Sequence, residues 1–371
     1  MTQQELIEKK PQVLQTPSPG LGLDPSRRWH FTPGLVRVSP MSLKCIQTAV
    51  LTLSIASSSA VGFAKGVRAH MDAPVTFQGV ADASAAVAVA PHFFVTASDE
   101  ECQLRIYDRD KGGDPLSLFN LAPHLLVHGH SHELDLEGAA AVGNRLYWIS
   151  SQSRNREGQR RTNREQFFAV DVTVTNDLPR LSFVGHASDR FFEQLCLSDV
   201  GKKYGLAAAS QESPRSREGL NIEGMCNSAD GGLWIGFRSP NPENRALLIH
   251  LDNPADVVRG KPARFGKSVT LDLDGLGIRD MVYDGKRFFL VAGAHGGKNK
   301  ARLYKWDGAS ESPRLLKLPG LAEINPEAVA VFSSQKPESL YVFTDGGRDA
   351  RGPFASLRPT FDCYRIELDP K

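Results

Sequence analysis

The chain has 371 residues, enough for two ordinary domains or for one repeat architecture closed on itself. Apolar residues make up 41% besides 33 glycines, which excludes disorder as the main state. Forty-four Lys and Arg against 42 Asp and Glu leave a net charge of +2, which speaks against a nucleic-acid binder.

Residues 1–40 hold six of the 23 prolines and show no sustained periodicity, so they read as an extension outside the folded unit. At Met41 the character changes. A weakly basic start (Ser42, Leu43, Lys44) precedes an apolar run from Ile46 to Ala60 and a small-x-small end at Gly62-Phe63-Ala64. That is the layout of a secretory signal peptide over 41–64, too short and too rich in Ser and Thr for a membrane span. Translation is then expected to start at Met41, giving a periplasmic or secreted chain from Lys65. The competing reading is a structureless tail ahead of a buried strand or helix. Beyond Cys45 four cysteines remain, Cys102, Cys196, Cys226 and Cys363. They are too sparse for a disulfide framework, although an even number suits an oxidising compartment.

One pattern then recurs: an Ala/Val-rich strand, a turn, and an aromatic-aliphatic strand. Its five copies begin at Asp82, Asp135, Asn221, Gly277 and Asn325. A third strand follows each copy, at Gln103–Tyr107, Phe167–Val172, Ala246–Leu251, Arg302–Trp306 and Cys363–Leu368. A fourth follows all but the last, at Pro115–Leu121, Arg180–Val184, Lys267–Leu273 and Arg314–Leu318. Four short antiparallel strands per unit, separated by turn residues, predict an all-β propeller of five blades. Val75–Val80 is a strand without a blade of its own, and lending it to the last blade would close the ring and cover exposed edges. Residues 65–371 thus form one propeller domain, expected to be a monomer without a membrane span.

The spacing breaks once: 86 residues separate Glu137 from Glu223, where other intervals are 48–56. The surplus, about 187–220, contains SDRFFEQLCL, with Ser188 as an N-cap and Phe191, Phe192 and Leu195 on one helical face. A helical insertion between blades two and three is predicted.

The motifs SREGLNIEGM (Ser216–Met225), GLGIRDM (Gly275–Met281) and DLEGAA of blade two, with the insertion, resemble a bacterial family of unknown function numbered thirty-six-sixteen. The resemblance covers roughly residues 75–370 and implies a propeller without assigning an activity. More distantly, Glu-Gly at the head of the innermost strand is similar to the esterase-like phytase propellers, which suggests a hydrolase by analogy alone.

Aligning the copies places Ser84, Glu137, Glu223, Arg279 and Glu327 at one position, the start of the innermost strand, around the central channel. Carboxylates crowded there raise one another's pKa unless something neutralises them. Arg279 can answer one; calcium or another divalent cation held by Glu137, Glu223 and Glu327 could answer the rest. In the competing reading each glutamate bonds backbone amides of the next blade and only holds the ring together. The loop before Glu137 carries His124, His128, His130, His132, Glu133 and Asp135, a spacing compatible with zinc, copper or nickel but also with a solvated loop.

Loops between second and third strands emerge on the same face. They bring Arg154, Arg156, Arg160, Arg161 and Arg164 from blade two, Arg238, Arg245 and His295 from blades three and four, and Arg348, Arg351 and Arg358 from blade five. Guanidiniums offer bidentate bonds to phosphate, sulfate or carboxylate, so Arg154, Arg238, Arg279, His295 and Arg348 are the expected ligand-binding set. Alternatively these loops are solvated and balanced by Glu157, Glu165 and Asp349. No G-x-S-x-G, H-E-x-x-H or phosphate-cradling loop is found. The reading is an exported propeller that binds a small anion, a saccharide or a protein partner; the alternative is a divalent-cation-dependent hydrolase of phosphoesters.

Overall fold

The computed structural model describes residues 69–125, 133–296, 300–332, 339–346 and 359–368. The signal-like segment 41–64 and residues His128, His130, His132, Arg348, Arg351 and Arg358 lie outside the described residues.

Two short strands come first, β1 (Ala69–Met71) and β2 (Val75–Gln78). Blade one is β3 (Ala85–Ala88), β4 (Phe93–Ala97), β5 (Gln103–Asp108) and β6 (Ser117–Asn120). Blade two is β7 (Leu136–Val142), β8 (Arg145–Ser150), β9 (Phe167–Thr175) and β10 (Leu178–Ser188). Three helices follow, α1 (Phe191–Leu197), α2 (Asp199–Lys203) and α3 (Leu206–Ala209). Blade three is β11 (Asn221–Asn227), β12 (Leu233–Ser239), β13 (Ala246–Leu251) and β14 (Phe265–Leu271), with α4 (Pro254–Val257) between the last two. Blade four is β15 (Gly277–Tyr283), β16 (Phe288–Gly293), β17 (Arg302–Trp306) and β18 (Arg314–Leu316). Blade five is β19 (Pro326–Ala330), β20 (Ser339–Thr344) and β21 (Thr360–Leu368). Each blade is an antiparallel sheet with consecutive strands adjacent, and the ring has five blades as the repeat predicts.

Closure follows the expected route, with one addition. The outer edge of β21 is shared: β2 pairs with Thr360–Cys363 and β1 with Ile366–Leu368. The last blade therefore takes its outermost strand from the start of the domain in two pieces. Phe77 of β2 anchors this join, 5.1 Å from Phe94 of blade one and 5.2 Å from Phe361 of blade five by ring centroids.

Strand residues alternate between two faces, and here both faces are buried. In β8, Leu146 and Trp148 fill the gap to blade one, while Tyr147 and Ile149 fill the gap to blade three. Five apolar clusters among the described residues each occupy one gap between neighbouring blades. This is why the second strands read as unbroken apolar runs. All four described cysteines are free, and only Cys196 is not fully buried.

The helical insertion is present, but its start differs from expectation. Strand β10 continues to Ser188, and α1 begins at Phe191 with Arg190 at its N-cap and no side-chain cap. Ser188 pairs with Phe167 instead of capping, because the strand bulges at Gly185 and resumes. Gly185 has φ 61°, and a Cβ there would stand 2.0 Å from the Val258 carbonyl oxygen. Only glycine lets the chain pass. Phe191 and Leu195 enter the core between blades two and three, and the half-buried Phe192 packs against the same core. No helix among the described residues is long and apolar enough to cross a membrane.

Candidate functional site

The innermost strands β7, β11, β15 and β19 share an irregularity invisible in the repeat pattern. In each, the register with the second strand slips by one residue, and the extra residue is Glu137, Glu223, Arg279 or Glu327. A bulged residue leaves the ladder and its side chain is re-aimed. The four charged side chains thus owe their common direction to four equivalent bulges. Ser84, the fifth equivalent, immediately precedes β3.

The residue after the bulge explains the Glu-Gly pairs. A Cβ on Gly224 would come within 2.7 Å of Ile278 Cγ2 of the next blade. In blade four this position is Asp280, which is buried and accepts a hydrogen bond from the Val329 amide of blade five at 2.7 Å. Burial raises its pKa well above the ordinary aspartate range, against the pull of the amides of Val329, Met281 and, from blade three, Met225. Asp280 plays the part expected of the glutamates, bonding backbone on both sides of its blade.

All five ring residues line one cavity of about 990 Å3, with walls extended by the loop after β8 and by Pro214 and Arg215. The ring is not uniform. Towards blades three to five its charges are paired. Glu223 accepts from Asn221 Nδ2 at 2.7 Å and from Arg238 Nη1 at 2.6 Å, and its other oxygen lies 3.7 Å from Arg279 Nε. Arg279 makes a forked contact with both oxygens of Glu327. Burial and the charge of Glu223 still outweigh Arg279 and push Glu327 up to about 7.

Towards blades one and two carboxylates meet one another. Asp99, Asp135 and Glu137 each place an oxygen within 4.8 Å of the others. Arg164 Nη1 donates to Asp135 at 2.8 Å and its Nη2 to Glu133. Asp82 accepts from the hydroxyls of Ser84 at 2.8 Å and Ser98 at 3.2 Å. Burial, followed by the charges of Asp82 and Asp135, pushes Asp99 up to about 8; burial pushes Asp135 up to about 6 against the pull of Arg164. Glu137 is raised well above the usual carboxylate range by burial and then by Asp135 and Glu223.

The expected set Glu137, Glu223 and Glu327 therefore shares a cavity, but two of its members already hold guanidiniums. The closer carboxylate group is Asp99, Asp135 and Glu137. Asp135 stands two residues before its ring position, as do Asp82, Asn221 and Asn325 in their copies. Asp135 and Asn325 sit at φ 53° and 48°, a left-handed conformation that Asp and Asn tolerate. That recurring Asp/Asn was the available signal. Asp99, just past the end of β4, had none.

The arginines separate in the same way. Arg154 spans the loop: Nε donates to the Ser210 carbonyl oxygen at 2.7 Å and Nη1 to that of Gly158 at 2.9 Å. Arg160 is forked onto Glu165 at 2.6 and 2.7 Å. Arg238 and Arg279 serve the glutamates. His295 is buried behind Arg238, whose Nη2 donates to its carbonyl oxygen at 2.9 Å, and does not line the cavity. Burial, then Arg217 and Arg238, hold its imidazole below the usual range. Arg156, Arg160, Arg161 and Arg215 line the cavity as well. His124 stacks between Phe119 and Phe183, at 5.7 and 4.6 Å, away from the carboxylates.

A second cluster was not foreseen. His250 Nδ1 lies 2.7 Å from Asp252 and Nε2 lies 3.0 Å from the Ser228 hydroxyl. That hydroxyl donates to Asp230, which also stands 3.2 Å from Nε2. The serine proton is thus committed to Asp230 and not poised for transfer to His250. The imidazole packs edge-on against Trp234 at 4.9 Å, and a Cβ on Gly232 would come 2.4 Å from its Cε1. The network fastens the turn after β11 to the end of β13.

Residues 204–351 match the model of a family described as protein of unknown function (DUF3616). The resemblance of the motifs holds over that stretch. This family's match spans both glycine-bounded motifs, and with them Glu223, Arg238, Arg279 and Glu327; Asp99, Asp135 and Glu137 lie outside it. No curated protein matches the chain. Among solved structures it is similar to a glutaminyl cyclase of Myxococcus xanthus at 13% identity, over 82% of this chain and 100% of that one, with TM-score 0.43. A luciferin-regenerating enzyme is similar at 9% identity, over 81% and 98%, with TM-score 0.36. Likenesses at this level bear on no residue of the site.

Proposed function

We propose that the protein binds a small anionic ligand in this cavity together with a divalent cation such as calcium, the cation being held by Asp99, Asp135 and Glu137. The observation that carries the reading is the mixture of charges in one cavity: three converging carboxylates alongside Arg156, Arg160, Arg161 and Arg215. Without a cation the carboxylates would repel the anions that the arginines attract. A hard divalent ion takes oxygen ligands and reverses the sign of that wall. An anion can then bind the ion on one side and guanidinium groups on the other. Glu223, 3% exposed and with Oε2 lacking a hydrogen bond, adds a further buried acceptor at the cavity wall. A concave, charged cavity suits a small ligand better than a protein surface does.

Calorimetric titration of chelator-treated protein with inorganic phosphate, with and without calcium, tests this. Binding is expected only with calcium and is expected to be lost in Glu137→Gln. Equal phosphate affinity with and without calcium, or no binding in either condition, would overturn the reading.

A further inference from the structure

Beside the main cavity lies a smaller hollow of about 260 Å3, walled by Phe192, Cys196 and Leu197 of α1 and Ala207 of α3 on one side. Its other side is the loop after β8. Ser153, Arg154 and Arg160 line both spaces, so the two hollows share a wall. Leu197 is 61% exposed, although the same helix buries Phe191 and Leu195 completely. Burial holds the Cys196 thiol up to about 11, which leaves it protonated, a soft apolar wall and not a nucleophile. Among the described residues only the gap between blades two and three carries such an insertion, and its apolar hollow adjoins the charged cavity.

We infer that the ligand of the main cavity is an anion bearing a compact apolar group, of the size of a phenyl ring or short acyl chain, which enters this second hollow. The inference rests on the cavity reading above and names its ligand class. An apolar cavity of about 150 Å3 already admits benzene, so the hollow is large enough for one ring. Arg154 stands at the boundary with three of its N–H groups committed to the protein: to Ser210, Gly158 and Gln211. A guanidinium has five, so two remain for an anionic head placed there. Arg160, 61% exposed at its side chain, has further N–H groups beyond the fork to Glu165. An anion held at this wall has its nearest apolar surface in the hollow.

The test compares methyl phosphate with phenyl phosphate by calorimetry in saturating calcium. Wild type is expected to bind phenyl phosphate at least tenfold more tightly, the gain of burying a ring. Ala207→Phe, a substitution at an exposed helix position that fills the hollow, should remove that preference and leave methyl phosphate affinity unchanged. Leu197→Ser, also exposed, should reduce it. Equal affinity of wild type for both probes, or a preference that persists in Ala207→Phe, overturns this inference alone. Failure of both probes to bind overturns the cavity reading and this inference with it.

Discussion

Glu137 and Glu327 occupy the same bulged position on β7 and β19, yet their surroundings are opposite. Glu327 meets Arg279, and Glu223 meets Arg238, so that half of the ring carries its own counter-charges. Glu137 meets Asp99 and Asp135, and although Asp135 holds the Arg164 guanidinium, carboxylates outnumber their counter-charges in this half. The bulge decides where a carboxylate points; residues from neighbouring strands decide how many counter-charges it meets. In the proposed reading the paired half is structural, and the acidic half is where a ligand changes the energy most.

The sharpest break of this comparison is Arg279→Met. It leaves Glu223 and Glu327 without the shared guanidinium and should cost about 3–5 kcal/mol, the usual loss when one partner of a buried pair is removed. Glu137→Gln in calcium-free buffer should cost nothing or stabilise, since it removes a buried ionisable group whose charged form Asp135 and Glu223 disfavour. Urea denaturation of both variants measures the difference in sign. Next in size is the cation itself. Calcium at a hundred times its Kd should stabilise the wild type by about 2.7 kcal/mol, seen as a higher melting temperature, and should do so for Glu327→Gln but not for Glu137→Gln.

A third expectation concerns pH. Asp99 is raised to about 8 and Asp135 to about 6, so the folded state holds protons that the unfolded chain has released. Their contribution to stability is full below about pH 4, the ordinary aspartate range, and is lost as pH climbs through 6 and 8. Calcium-free protein should therefore lose unfolding free energy across that window, and saturating calcium should flatten the slope. Unfolding curves at pH 5 and pH 8, with calcium and with chelator, decide it. The smallest effect belongs to Asn221→Ala, which deletes one donor to Glu223 and should cost about 1 kcal/mol without altering calcium affinity.

Much of the architecture was legible because a propeller repeats its instructions. Apolar second strands, turn residues and a stray strand at Val75 sufficed for five blades and their closure. The ring positions were legible for the same reason. What was not legible depends on contacts between repeats. Asp99 reaches the site from the end of β4, a position that no motif marks. Asp280 looks like a ring carboxylate by proximity but is turned to backbone amides, because it takes the place of the glycine in Glu-Gly. Nothing in the repeat shows that Ser210 and Gln211, just after α3, engage Arg154, and Ser188 reads as a cap until β10 runs past its expected end.

Calcium titration of the chelator-treated wild type, Glu137→Gln and Glu327→Gln proteins tests the central claim most directly. Calorimetry should register one calcium ion per chain for the wild type and for Glu327→Gln, and none for Glu137→Gln. A wild type that takes up no calcium, or a Glu137→Gln variant that binds it as tightly as the wild type, would contradict the division of the ring into a finished half and a cation-binding half.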